Sequence, residues 1–161
     1  MVRRVFFSFH YKNDVWRANQ VRNSRITKED REAAGFIDSA EFEEIQSKGE
    51  EAIKKWIDEQ LKNTSVTIVL IGSDTSNRKY VRYELQKSFE KGNAIIGIYI
   101  HNLRDNGGNI SSKGDTLFGE IGKDKEGNSL YYHNVMKGTY DYVNDKGYDN
   151  LGKWIEDAIS D

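Results

Sequence analysis

The chain has 161 residues, enough for one domain that buries about two thirds of its unfolded surface. Its 24 basic and 26 acidic residues give a formal net charge of −2 and form no basic stripe, so nucleic acid is not an expected partner. Cysteine is absent, which excludes disulfides, thiol nucleophiles and zinc sites built on thiolates. The first apolar stretch is too short for a signal peptide and no run approaches the ~18 residues of a membrane span, so we expect a cytoplasmic protein without membrane contact.

The first predicted element is a strand over residues 4–9, where aromatic and β-branched side chains follow one another. Residues 10–14 form a polar turn after it. Asn13 or Asp14 is expected to cap a helix that continues to about Asn23.

Weaker signals follow between residues 24 and 46. Residues 24–34 are charged and lack periodicity, which indicates a loop or the ragged end of a helix. Residues 35–38, Gly-Phe-Ile-Asp, predict a short second strand. Residues 39–46 are acidic and ambiguous.

A capping box at residues 47–50, Ser-Lys-Gly-Glu, predicts the start of an amphipathic helix. Lys54 and Asp58 are spaced for an ion pair on this helix. Trp56 is expected to belong to the core because it lies on the apolar face. That face consists of Ile53, Trp56, Ile57, Gln60 and Leu61.

A strand, a polar loop and a helix follow between residues 66 and 92. Val66–Ile71 is a continuous apolar run, typical of a strand buried on both faces of a parallel sheet. Residues 72–77 supply turn and cap residues, and the next helix has apolar residues four apart until Gly92 stops it. Ligands bind outside the carboxyl ends of strands in open α/β sheets. Glu84, at the margin of the buried face of this helix, is therefore a candidate for chemistry.

The last third of the chain begins with a second apolar strand at residues 94–100, which completes a right-handed βαβ unit. Residues 101–128 are rich in glycine and polar residues, and a long loop of this kind is usually functional or mobile. We expect that this segment can control activity and that residues 105–125 can be deleted without unfolding the sheet. Residues 131–135 and 139–143 are candidate edge strands, and a last helix is capped at residue 149 or 150.

The alternation of strands and helices predicts a flavodoxin-like three-layer α/β sandwich whose mainly parallel sheet has about five strands. We expect a single domain over residues 1–161. Folds of this kind host many functions, so specific residues have to decide between them. Residues 10–13 lack the glycine of a flavodoxin phosphate loop. The third strand ends in Gly72 and Ser73, where a response-regulator receiver needs a phosphoacceptor aspartate.

Three segments of the chain together resemble bacterial TIR domains. They are Arg4–Tyr11, Val69–Thr75 and Tyr80–Leu85. The similarity continues to about residue 100, so the core motifs lie within residues 1–100, and residues 101–161 are divergent. It is greatest to the TIR-domain proteins of Thoeris anti-phage defence systems.

Two TIR motifs are matched residue by residue. In the first, a strand runs into a serine and an aromatic residue and then into a polar loop with an acidic residue, which Ser8, Phe9 and Asp14 match. In the helix motif of the catalytic members, Tyr80, Val81 and Glu84 match, with Tyr80 in place of the commoner tryptophan.

The resemblance implies NAD processing. Catalytic TIR domains cleave the bond between nicotinamide and ribose, and Thoeris members form a cyclic ADP-ribose isomer that activates an NAD-depleting effector. By this resemblance Glu84 is the catalytic residue, and Phe9, His10 and Tyr11 contact the substrate. Four further residues are candidate substrate-binding residues: Ser8, Asp14, Ser73 and Tyr80. NAD+ is then a substrate, and no cofactor or metal is expected. The expected partners are NAD+ and the effector, with self-association as a further expectation.

The chemistry of the residues agrees with this role. Loss of neutral nicotinamide leaves an oxocarbenium-like ribose, which a nearby carboxylate stabilises. The alternative for Glu84 is an exposed glutamate paired with Lys87 or Arg78. Ser73 could bind phosphate at the start of the helix, although capping explains it equally well. The scattered histidines form no metal site: His10, His101 and His133.

Two other functions remain open. One is a TIR module that binds other TIR domains and catalyses nothing, although such adaptors commonly lack the helix glutamate. The other is a relative of the nucleoside deoxyribosyltransferases, which share the fold and use a carboxylate at a ribosyl centre. The sequence also leaves open whether the product is cyclised, hydrolysed or transferred to an acceptor.

Overall fold

In the described part of the chain, residues 3–23 and 31–160 of the computed structural model, five parallel strands form the central sheet. The five strands are β1 (Arg3–Ser8), β2 (Arg31–Ala34), β3 (Val66–Ile71), β4 (Ala94–Tyr99) and β7 (Met136–Asp141). Between β4 and β7, the strands β5 (Glu120–Lys123) and β6 (Ser129–Tyr131) form a separate hairpin. The strand order of the central sheet is β2-β1-β3-β4-β7. Helices cover both faces, so the predicted flavodoxin-like sandwich is confirmed.

The helices of the described residues account for both outer layers. They are α1 (Tyr11–Arg22), α2 (Ser39–Ser47), α3 (Glu50–Leu61), α4 (Lys79–Lys91), α5 (Tyr132–Val135) and α6 (Gly147–Ile159). None of these helices is long and apolar enough to cross a membrane.

The centre of the sheet is built from the two continuous apolar runs of the sequence. β3 has the predicted bounds, and all its side chains are buried because helices cover both of its faces. α4 follows it and ends at Gly92, whose φ of 91° is the left-handed conformation that glycine adopts at a helix C-terminus. The predicted strand–helix–strand unit is therefore confirmed.

Alternation along β1 directs neighbouring side chains to opposite faces of the sheet. Phe7 belongs to the apolar cluster that includes α1 and α6. Phe6 packs against Ile57 and Leu61 of α3 on the other face. Ser8, two residues after Phe6, lies on this second face, the side on which α4 also packs.

The chain between β1 and α2 differs from the prediction. α1 begins at Tyr11, so the predicted turn is shorter and Asp14 lies within the helix. The second strand is Arg31–Ala34 rather than residues 35–38, while residues 24–30 lie outside the described residues. Among the described strands β2 is an edge strand that pairs only with β1. Its sequence, Arg-Glu-Ala-Ala, lacks the apolar run of a central strand, which is why the sequence pattern did not reveal it.

The predicted capping box is absent from the start of α3. Gly49 precedes this helix with a φ of 96°, and Ser47 instead donates its hydroxyl to the backbone of α2 at 2.6 Å. The predicted ion pair also differs, because Lys54 lies 3.3 Å from Glu50. Asp58 instead accepts a hydrogen bond from the hydroxyl of a tyrosine on α4.

The segment after β4 is part of the packed structure. Leu117 and Ile121 are buried in the cluster that α4 forms with the sheet. Arg17 of α1 donates hydrogen bonds to the carbonyls of Leu103, at 2.7 Å, and Asn109, at 2.8 Å. The interpretation of residues 101–128 as a loop without structure is therefore wrong, because the segment contains β5 and its side chains and carbonyls complete the core and an internal network. These contacts argue against the expected tolerance of a deletion of residues 105–125.

The C-terminal elements are shifted relative to the prediction. Residues 131–135 are not an edge strand but the end of β6 and the short helix α5. Residues 139–143 overlap β7, which is the edge strand of the main sheet as predicted. α6 begins at Gly147, before the predicted cap, and its apolar stripe packs on the α1 side of the sheet.

Candidate active site

A cavity of about 310 Å³ opens beyond the carboxyl ends of β1 and β2. Its floor follows the two strands, and its walls are α2, α3 and the first half of α4. This volume lies at the lower end of the range for small-molecule sites. The lining residues are Phe7, Phe9, His10, Tyr11, Lys12, Gly35, Ile37, Phe42, Ile45, Gln46, Ile53, Trp56, Ile57, Arg78, Lys79, Tyr80, Val81 and Glu84.

Glu84 of α4 reaches this cavity from a buried position. The residue is 8% exposed, and its Oε1 accepts a hydrogen bond of 2.6 Å from the hydroxyl of Ser8. Burial raises the pKa of Glu84 to about 8, and the bond from Ser8 acts in the opposite direction. A carboxyl group with such a pKa at a cavity wall is typical of a functional site.

The alternative role of Glu84 in an exposed ion pair is wrong. Lys87 lies 3.6 Å from Glu90, and Arg78 lies 3.3 Å from Asp74. No ion pair of Glu84 occurs among the described residues, and its Oε2 has no hydrogen-bond partner there. This oxygen is therefore available to a ligand in the cavity.

Aromatic rings form one side of the cavity. Tyr11 stacks on Phe42 with the ring centroids 4.0 Å apart and 14° between the planes. Phe9 stacks on Tyr11 at 6.4 Å. Since β1 ends at Ser8 and α1 begins at Tyr11, the chain turns between them, and Phe9, His10 and Tyr11 all reach the cavity. Flat rings of this kind can stack on the bases of a nucleotide.

The polar part of the lining is mainly basic. Burial, followed by the nearby charge of Arg78, lowers the pKa of His10, which favours the neutral imidazole. Lys79 is paired with Glu50 of α3 at 3.0 Å. Lys12 lines the cavity without an ion pair to any described residue. These groups are suited to the phosphates of a dinucleotide.

Two predicted site residues lie outside the cavity. Asp14 is 1% exposed and pairs with Arg17 at 3.0 Å, and burial raises its pKa. Its carboxylate lies over Gly72, where an ideal Cβ would be 2.1 Å from Oδ2. Ser73 is exposed, and next to it the backbone N–H of Gly72 donates a hydrogen bond of 2.7 Å to the hydroxyl oxygen of Thr75. The position of Asp14 fits a structural role, whereas Ser73 neither lines the cavity nor caps the helix that follows.

Ser8 and Tyr80 have different positions relative to the cavity. Tyr80 is on its wall, where a ligand could contact it. Ser8 is fully buried behind Glu84 and does not line the cavity. Of the other histidines, His101 is buried and His133 stacks on Tyr131, and the described residues contain no cluster suited to a metal ion.

The wall formed by α2 and α3 was not identified from the sequence. Trp56 is half-buried: it packs against the core cluster of Phe6 and Ile57, as expected from its apolar helix face, and it also lines the cavity. Phe42 and Ile45, three residues apart on α2, also line it. That spacing was the available signal, but the acidic residues around it obscured the apolar face.

The comparisons with known proteins cover most of the chain. A family model described as the TIR-like domain of the Thoeris protein ThsB matches residues 6–105. A protein of Bacillus cereus strain MSX-D12, named "putative cyclic ADP-D-ribose synthase ThsB1", is 45% identical over 191 residues. That alignment covers 96% of this chain and 100% of the relative.

Proposed function

This chain belongs to the family of Thoeris ThsB TIR-like domains, and on that premise we propose that it cleaves the nicotinamide–ribose bond of NAD+ and makes a cyclic ADP-ribose signal in anti-phage defence. The observation that carries the proposal is the buried Glu84 with one oxygen free at the wall of an aromatic cavity. The name of the relative from Bacillus cereus supports the product class.

Cleavage of the nicotinamide–ribose bond requires stabilisation of positive charge on the ribose, and it does not require a general acid for the leaving group. The bond between C1′ and the pyridinium nitrogen breaks, both electrons stay with nicotinamide, and this group departs neutral without receiving a proton. Positive charge then develops on C1′ and the ring oxygen of the ribose. The carboxylate of Glu84, through Oε2, would stabilise that charge and orient the ribose hydroxyls.

The fate of the ribosyl centre decides the product. Attack by water at C1′ gives ADP-ribose, whereas attack by a nitrogen or hydroxyl of the adenosine half of the same molecule closes a ring. The apolar walls that α2 and α3 contribute, including Phe42, Ile45 and Trp56, favour the second route because they limit the water near C1′. We therefore assign cyclisation as the main reaction and hydrolysis as a side reaction.

The proposed reaction implies a partner protein, and the cavity argues against the two other functions. A diffusible cyclic nucleotide implies an effector that binds it, as the Thoeris resemblance suggests. An interaction module without catalysis would not need a buried carboxyl group in a cavity. A deoxyribosyltransferase would act on a nucleoside without phosphates, for which the basic residues Lys12, Arg78 and Lys79 would have no use.

Incubation of the purified chain with NAD+ tests the proposal. We expect release of nicotinamide and a product one water lighter than ADP-ribose by mass spectrometry. Glu84→Gln should lower the rate by on the order of 10²–10³-fold, because one electrostatic stabiliser is lost. Base exchange on a 2′-deoxynucleoside, with NAD+ left intact, would contradict the assignment.

A further inference from the structure

We propose that Ser8 is a positioning residue, whose hydroxyl holds one oxygen of Glu84 so that the other faces the substrate. The inference rests on the proposed function, because it deepens the role of the same site. It replaces the predicted direct contact between Ser8 and the substrate with an indirect role.

The position of Ser8 excludes contact with a ligand in the cavity. It is the last residue of β1 and is fully buried, and parallel pairing sets it beside Val69 of β3. Its side chain points to the face of the sheet on which α4 packs. The 2.6 Å bond from its Oγ to Oε1 of Glu84 therefore ties the end of β1 to the middle of α4.

The rest of Glu84 is held by a second, uncharged network. Ser88, one turn later in α4, donates its hydroxyl to the carbonyl of Glu84 at 2.8 Å. Thr67 of β3 in turn donates to the hydroxyl of Ser88 at 2.7 Å. The backbone of Glu84 is thus fixed from one side and its carboxyl group from the other, which leaves the rotation of the carboxyl group to Ser8.

Among the described residues, no charged group holds the carboxyl group of Glu84 in place of Ser8. The titratable side chains around the same cavity are His10, Tyr11, Lys12, Arg78, Lys79 and Tyr80, and none of them bonds to Glu84 among the described residues. α3 presents Trp56 and Ile57 to the cavity, and β3 presents uncharged residues. Within the described residues, the hydroxyl of Ser8 is the one hydrogen bond that favours the ionised carboxyl against its burial.

Removal of this hydroxyl should change how strongly Glu84 holds its proton. A hydrogen bond to a charged group typically changes the proton-dissociation constant of that group by about 10-fold or more. In Ser8→Ala we expect the rising limb of kcat/KM for NAD+ to move to higher pH, with a loss of roughly 10-fold near pH 7. Part of the activity should return at alkaline pH, which a merely structural defect would not produce.

Two further variants provide matched comparisons. Ser88→Ala removes an equally buried serine hydroxyl near Glu84 without touching its carboxyl group, so the pH profile should keep its midpoint. Ser8→Thr retains a hydroxyl at the same position and should keep the midpoint of the unaltered chain. A profile of Ser8→Ala that superimposes on that of the unaltered chain would overturn the proposal.

A titration without turnover separates this inference from the proposed function. The carboxyl carbon of Glu84 can be followed by ¹³C NMR in protein labelled at glutamate, with Glu84→Gln for assignment. Ser8→Ala should titrate at higher pH than the unaltered chain and Ser88→Ala should not. If these shifts occur but NAD+ is not cleaved, the positioning role stands and the proposed function fails. If the titration of Ser8→Ala is unchanged, the positioning role fails whatever the activity.

Discussion

Glu84 carries its carboxyl group in surroundings that oppose ionisation. Burial raises the pKa to about 8, so the free protein holds this group mostly neutral near pH 7. The substrate proposed here brings a pyridinium cation to the same cavity, and a nearby positive charge favours the carboxylate. Binding of NAD+ and ionisation of the catalytic group therefore support each other.

Glu84→Gln should raise the free energy of unfolding, and the increase should be larger at higher pH. In the unfolded chain a glutamate loses its proton near its ordinary pKa of 4.5, whereas the folded protein keeps it to about 8. Below pH 4.5 the group is protonated in the folded and the unfolded state, so its burial costs the folded protein nothing through ionisation. As the pH rises from 4.5 towards 8, ionisation stabilises the unfolded chain alone, and the free energy of unfolding falls. The loss amounts to up to about 5 kcal/mol. Since glutamine has no such loss, Glu84→Gln should unfold at higher urea concentration at pH 8.5, with a smaller difference near pH 4.5.

An exposed glutamate on the same helix provides the control. Glu90→Gln should change the free energy of unfolding by less than about 0.5 kcal/mol at both pH values. An equal effect of Glu84→Gln at pH 4.5 and pH 8.5 would show that Glu84 does not keep its proton in the folded protein.

The aromatic side of the cavity should contribute to affinity more than to the chemical step. Phe9 contacts Tyr11 and Phe36 and lines the cavity, and a stacked ring pair contributes about 0.5–1.5 kcal/mol. We expect Phe9→Ala to weaken NAD+ binding about tenfold. Calorimetry on the Glu84→Gln background measures this without turnover.

Phe118 is a suitable control for Phe9. It is 57% exposed and does not line the cavity, so Phe118→Ala should leave the affinity for NAD+ unchanged. Equal affinities of Phe9→Ala and Phe118→Ala would show that the base or the nicotinamide binds elsewhere.

The sequence motifs correctly indicate only some of the residues that reach the cavity. Phe9, Tyr80 and Glu84 line it because the motifs coincide with the end of β1 and the first half of α4. Asp14 matches its motif equally well, but α1 begins three residues before it and turns its side chain towards Arg17. A motif match gives the residue type and not the direction of the side chain.

Among the elements, those with continuous apolar runs could be predicted, and those that serve the cavity could not. β3, β4 and α4 bury their apolar residues in the main core, and their patterns are strong. α2 has no fully buried residue, because Phe42 and Ile45 cover the cavity instead of the sheet. Its pattern is therefore weak for a physical reason.

The segment between β4 and β6 should be essential for stability. Leu117 is buried against α4, so Leu117→Ala should cost about 2–5 kcal/mol of unfolding free energy. Ile110 lies in the same segment but is 54% exposed, and Ile110→Ala should cost less than about 0.5 kcal/mol. Similar urea midpoints for the two variants would restore the interpretation of a dispensable loop.

At the scale of the whole molecule, the strand order determines where the site lies. β1 and β3 are neighbours, yet the chain leaves β1 for the face that α1 covers and leaves β3 for the face that α4 covers. The connections diverge at this point of the sheet, and α/β folds of this order bind ligands there. The fold class and the strand edge could thus be predicted from the sequence, whereas the shape of the cavity depended on α2 and α3.

The place of Trp56 on the cavity wall gives the protein an intrinsic optical signal. The chain has three tryptophans, of which Trp16 faces solvent on α1 and Trp154 stacks on Tyr140 in the core at 4.2 Å. A nucleotide base that enters the cavity would stack near Trp56 and quench its fluorescence. The other two indoles would provide a constant background. Occupancy of the site can then be followed in unlabelled protein, even before any bond in the substrate has broken.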